Sequence, residues 1–165
     1  MSKAIIIILL LFSISCVCWN IRVRKELSKR KIEAASLNDS LKKQWEFYRL
    51  FVRWIQVHNH GKSVASYCKE KGIKRVAIYG MKEAGELLLD ELEKGGIEVP
   101  CGIDRDADNI YVKTTVIKPS EKIPDVDIIV VTAIHFYKQI EDELKKKVNC
   151  PIVSLLDVLC EISLL

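Results

Sequence analysis

The chain has 165 residues, enough for one globular domain plus an appendage, with little room for a cofactor domain and a separate substrate domain. Apolar residues make up 49% and charged residues 29% of it, and seven Gly and four Pro exclude collagen-like or low-complexity classes. The net charge of +4 hides two parts of opposite sign: residues 1–73 carry 14 basic and 5 acidic side chains, residues 74–165 carry 12 basic and 17 acidic.

Ala4 to Trp19 (AIIIILLLFSISCVCW) holds no charge, Pro or Gly. As a helix it spans about 24 Å, slightly short of a ~30 Å hydrocarbon core. Trp19 and snorkelling Arg22 and Arg24 make up the difference. A soluble core helix of that length would show a polar face, and none precedes Ser13. Only Lys3 precedes the run, whereas Arg22, Arg24, Lys25, Lys29, Arg30 and Lys31 follow it. The positive-inside rule then puts the C-terminal side in the cytoplasm. The expectation is a single-pass cell-membrane anchor over residues 1–19, with the lipid bilayer as partner and a cytoplasmic C-terminal domain. A cleaved signal peptide and a lipoprotein signal ending at Cys16 are the alternatives. The basic cluster disfavours export, and Ser13 sits where a lipoprotein signal wants a large aliphatic residue. The six cysteines show no CxxC pair and no zinc spacing, so no metal is expected.

Residues 20–72 read as a basic helical stalk and a short linking helix. Leu27, Ala34, Leu41, Tyr48 and Ile55 recur every seven residues, with Leu37, Trp45, Phe51 and Val52 beside them. Ser36 to Ser40 is expected to break the stalk, with Asp39 or Ser40 capping a second helix near Leu41. Phe47 to Ile55 is too apolar for a free stalk. It is expected to pack on the domain, on a second copy, or on a partner such as a glycan-synthesis enzyme. His58 and His60 form an HxH pair with no third ligand nearby, which favours a helix-end role over metal binding. Ser63 is expected to cap a short helix from Val64 to Lys71.

Residues 73–165 alternate strand and helix. Arg75–Tyr79 is the first strand and Glu83–Lys94 a helix with Leu87, Leu88 and Leu92 on its apolar face. Ile97–Ile103 is the second strand and Thr115–Ile117 a short third. Asp127–Thr132 is a buried strand without alternation, as in a parallel sheet. Ile134–Val148 is a helix, Pro151–Leu155 the last strand and Leu156–Ile162 a terminal helix. This is an α/β pattern: a Rossmann-like open parallel sheet of about five strands in order 3-2-1-4-5, preceded by a transmembrane helix and stalk.

Ligands in such sheets bind beyond the carboxyl ends of the strands, at the switch between strands one and four. The first loop reads Tyr79-Gly80-Met81-Lys82-Glu83-Ala84-Gly85. Gly80 and Gly85 match the first and third glycines of a G-x-G-x-x-G fingerprint, and Lys82 replaces the second. Asp104 follows strand two, where an acid meets a ribose hydroxyl. The residue pattern leaves two readings open: a bound nucleotide, or glycines that serve only the turn and helix packing.

The segments KRVAIYGMKEAGELLLDELEKGGIEVPCGID and VDIIVVTAIH resemble Rossmann-like domains of bacterial surface-polysaccharide synthesis. Among these is the amino-terminal nucleotide-binding domain of membrane-bound nucleotide-sugar epimerases and dehydratases. The resemblance covers about Lys74 to Leu159. It implies NAD(P) or nucleotide-sugar binding through Gly80, Met81, Lys82, Glu83 and Gly85 in the first loop. Asp104 and Arg105 after strand two, and Thr132, Ala133 and His135 after strand four, complete the implied set. Lys82 departs from the usual small residue, and the catalytic half of the epimerases is absent.

No GxxxxGK[ST] or GxSxG motif occurs. Tyr67 and Lys71 form a YxxxK pair, but before the first strand, where chance explains it. Asp104, Asp106 and Asp108 lack the Gly and late Glu of a calcium loop. No catalytic residue is assigned; were the chain an enzyme, it would be a nucleotide-sugar epimerase, dehydratase or oxidoreductase. Nucleic acid is not expected, because the globular part is acidic. The function expected is a membrane-anchored nucleotide- or nucleotide-sugar-binding module accessory to polysaccharide synthesis. The alternative is a non-catalytic scaffold whose stalk and domain bind partner proteins.

Overall fold

The computed structural model describes residues 3–164, the side chains of residues 3–10, 14 and 18 excepted. The chain divides into two compact units, Met1–Glu46 and Phe47–Leu165. In the first, helix α1 (Lys3–Asn59) exposes nearly every described side chain. The helix runs unbroken through Ser36–Ser40, which corrects the expected break. The polar side chains there fold back on the helix instead of capping a new one. Ser36 Oγ donates to the Glu33 carbonyl at 2.8 Å, and Asp39 pairs with Lys43 one turn on at 2.7 Å. Among the described residues no helix is long and apolar enough to cross a membrane. The expected span Ala4–Trp19 lies in large part outside the described side chains.

The second unit is built on a five-stranded parallel sheet, in order β3-β2-β1-β4-β5. Its strands are β1 (Val76–Tyr79), β2 (Gly102–Ile103), β3 (Val116–Ile117), β4 (Ile128–Val131) and β5 (Ile152–Ser154). All four residues of β1 and all four of β4 are buried, as a central parallel strand covered on both faces requires. Val76 and Ile78 of β1, with Ile128 and Val130 of β4, face one core with α2 (Val64–Glu70), α3 (Glu83–Lys94) and α5 (Leu155–Leu164). Ala77, Tyr79, Ile129 and Val131 face the other, against Ile140 and Leu144 of α4 (Tyr137–Leu144). Leu50, Trp54 and Val57, from the end of α1, belong to the first core.

Most strands and α2 are one or two residues shorter than expected, and three further elements differ as follows. The second strand pairs only over Gly102–Ile103, with an isolated bridge between Arg75 and Glu98 upstream. Pro100 lies between them and has no N–H for a ladder. The helix expected over Ile134–Val148 is a 3-10 turn, Ile134–Phe136, followed by α4. The Thr132 and Ala133 carbonyls accept the Ile134 and Phe136 N–H groups at 2.9 Å, tightening that entry. The terminal helix starts one residue early and runs to Leu164.

The HxH pair is split between partners. His60 Nδ1 meets the Gln56 carbonyl at 2.7 Å, and His58 Nε2 meets Glu91 at 2.8 Å. Ser63 caps α2 as expected, in a reciprocal bond with Ser66.

Candidate functional site

The site grows from the end of β1. Tyr79 is the last strand residue, and the chain turns at Gly80 with φ +95°, a conformation side-chain-bearing residues rarely adopt. A Cβ at Gly80 would lie 2.6 Å from Thr132 Oγ1. That closeness has a purpose, because the Thr132 hydroxyl donates to the Gly80 carbonyl at 2.6 Å and lies 3.1 Å from the Tyr79 carbonyl. Thr132, 4% exposed, thereby ties the end of β4 to the first loop.

Asp104 closes the loop from the other side. One carboxylate oxygen accepts the Met81 N–H at 2.8 Å and the other accepts the Asp106 N–H at 2.9 Å. The acid placed by sequence on a ribose thus holds the β1–α3 turn. Met81 itself is buried beneath Gly102, where a Cβ would sit 2.6 Å from its Cγ and Sδ. Gly85 lies in the first turn of α3 against the Gly80 carbonyl. Met81 and Gly85 are not among the residues that line the neighbouring cavity, and both are closely packed.

The other eight predicted residues do meet. Gly80, Lys82, Glu83, Asp104, Arg105, Thr132, Ala133 and His135 line one cavity of about 510 Å³ at the carboxyl ends of β1, β2 and β4. This is the switch point of the strand order. Lys82 is the N-cap of α3, and no side chain caps the helix there. The positive end of the α3 dipole lies at this edge, with Glu83 and Glu86 in the same first turn. Arg105 is largely exposed, 3.8 Å from Glu143.

Sequence reasoning missed the apolar wall, which Phe47, Tyr79, Ala84, Phe136 and Ile140 form. Phe47 comes from α1, and its ring stands 5.1 Å from the His135 imidazole. The excess of apolar residues after Phe47 signalled packing, yet nothing in it pointed to this cavity. Tyr79 was findable: its strand alternation sets it on the α4 face. Its hydroxyl is buried and, among the described residues, meets no group in hydrogen-bonding geometry. Burial pushes the phenol above its ordinary value, and the nearby Arg105 guanidinium opposes that more weakly.

The buried thiols offer no nucleophile. Burial pushes Cys68 and Cys101 up to about 11, so neither is a thiolate at neutral pH.

A family model described as C2185-like, N-terminal, matches residues 72–151, just under half of the chain. The matched stretch contains β1 to β4, α3, α4 and the loops that border the cavity. No curated protein and no solved structure matches the chain.

Proposed function

We propose that this chain is a membrane-anchored Rossmann-like module that binds a nucleotide-bearing ligand, of the nucleotide-sugar or NAD(P) kind, as an accessory to surface-polysaccharide synthesis. The cavity at the strand switch point carries this reading. Lys82, Arg105 and the uncapped α3 terminus offer positive charge and N–H donors to phosphate at one edge. Phe47, Tyr79 and Phe136 offer flat apolar surface to a ring. The apolar run Ala4–Trp19 and the basic cluster after it support anchoring, with the domain on the cytoplasmic side. No chemical step is assigned to the chain.

Titration of the full-length protein in detergent tests the proposal, with UDP-sugars, GDP-sugars, NAD, NADP and S-adenosylmethionine as probes. A true ligand at 100 times its Kd adds about 2.7 kcal/mol, a shift of several degrees in Tm. Lys82→Ala and Arg105→Ala are each expected to weaken that ligand by about 10-fold or more, through loss of a charge-assisted bond. Both side chains are exposed, so the ligand-free Tm should stay within about 1 °C of the parent.

A second reading rests on a separate observation. Gly80, Gly85, Thr132 and Asp104 all have structural duties that need no ligand. A fold that keeps those duties without binding anything would be a scaffold for partner proteins. Flat titrations with every probe would favour it.

A further inference from the structure

The seven-residue series on α1 is exposed along residues 27–41. Within the first unit, Leu27, Leu37 and Leu41 are 53%, 62% and 55% exposed, and Ala34 is exposed beside them. With Leu27, Ala34 and Leu41 as a positions, Val23 and Leu37 fall at d positions of the same register. The spacing continues to Tyr48 and Ile55, which are 58% and 59% exposed in the second unit.

A strict seven-residue repeat does not match 3.6 residues per turn, and on a straight helix the stripe drifts by about 20° per heptad. It stays in one contact only if two helices supercoil. The occupant of this stripe must therefore be a helix with the same repeat, and a second copy supplies one.

Charge decides the direction. Glu26 is a g position and Lys31 the following e position, the pair that meets across a parallel, in-register dimer. An antiparallel pair over the same span, with Leu27 against the other copy's Leu37, would instead bring the two Glu33 side chains, both g positions, together.

We propose that residues 23–41 form a parallel homodimeric coiled coil, with Leu27, Ala34, Leu37 and Leu41 in the seam and Glu26 facing the partner's Lys31. Arg30 occupies a d position in the seam. A charged side chain there weakens the pair while helping to fix its register.

The test uses the full-length chain in detergent. Sedimentation should give a dimer at micromolar concentration. Leu37→Glu combined with Leu41→Glu should yield monomer, while Arg30→Leu should tighten the dimer at least 10-fold. Under mild oxidation Leu41→Cys should add an interchain disulfide absent from the parent. Ile32→Cys, on the outer side of the helix at a position 68% exposed, should add none. All these sites are exposed, so the melting of the globular unit reports that each variant is folded. A parent that stays monomeric, a dimer that survives the double Glu variant, or equal crosslinking from Ile32→Cys would overturn the proposal.

Discussion

Replacing Gly85 with alanine is expected to lower the melting temperature by about 10 °C, although alanine is the better helix former. In an open helix the exchange would gain about 1 kcal/mol. Here the new Cβ would lie 2.1 Å from the Gly80 carbonyl oxygen and 3.0 Å from its carbon. These are backbone atoms, so no flexible side chain can yield. The Gly80 carbonyl is also held by the Thr132 hydroxyl, so moving it costs that bond too. Overpacking of this kind costs about 1–3 kcal/mol, and the lost bond adds about 1 kcal/mol. At roughly 3–5 °C per kcal/mol for a unit of this size, the drop is about 10 °C. Thermal unfolding followed by circular dichroism reads it directly. An alanine variant that melts at or above the parent temperature would refute the close contact. Ligand binding should weaken alongside, because the same shift displaces the first turn of α3, where Lys82 stands.

Glu91→Ala is expected to cost about 3 kcal/mol and to loosen the end of α1 from the sheet domain. This α3 carboxylate is 10% exposed. One oxygen accepts the Trp54 indole N–H at 2.6 Å and lies 2.8 Å from His58 Nε2. The other accepts the Val64 N–H at the start of α2. One side chain thus gathers groups from α1, α2 and α3 within the second unit. Bonds to a charged acceptor contribute about 1.5–3 kcal/mol each, but those sharing one carboxylate do not add. Removing it also leaves the half-buried indole and amide donors unpaired. Glu91→Gln keeps the shape and one carbonyl acceptor, so its loss should be about half as large. Denaturant unfolding gives the energies, and Trp54 gives a local signal. Red-shifted tryptophan emission in folded Glu91→Ala protein is expected. Unchanged stability in Glu91→Ala would mean that the docked end of α1 is held by Leu50, Trp54 and Val57 burial alone.

The sheet was legible because its signals are local. DIIVVT can be buried on both faces only as a central parallel strand, and helical patterns between apolar runs force right-handed crossovers. The order 3-2-1-4-5 follows, and with it the edge where ligands sit. Legibility failed where polar side chains had a choice of partner. Ser36 and Asp39 read as cap formers, and only the folded helix has them bonded to their own preceding or following turn. Pro100 was visible, yet its consequence for β2 depended on which strand edge needed the missing N–H.

The candidate site divides the same way. Gly80, Gly85 and Asp104 were found from spacing, since a strand–turn–helix places its loop residues at fixed offsets, whereas the Thr132–His135 loop was implied by the family resemblance. Their duties were not found. Asp104 bonds the Met81 amide, Thr132 bonds the Gly80 carbonyl, and Phe47 reaches the cavity from α1. Periodicity, charge asymmetry and turn chemistry are properties of neighbouring residues, so the sequence by itself determined the α/β class, the strand order, the heptad stripe and the loops that meet. Whether a carboxylate or hydroxyl spends its hydrogen bonds on the protein's own backbone depends on atoms brought together across 23 or 52 positions of chain. Those distances exist only after folding, and the tertiary structure alone decided them.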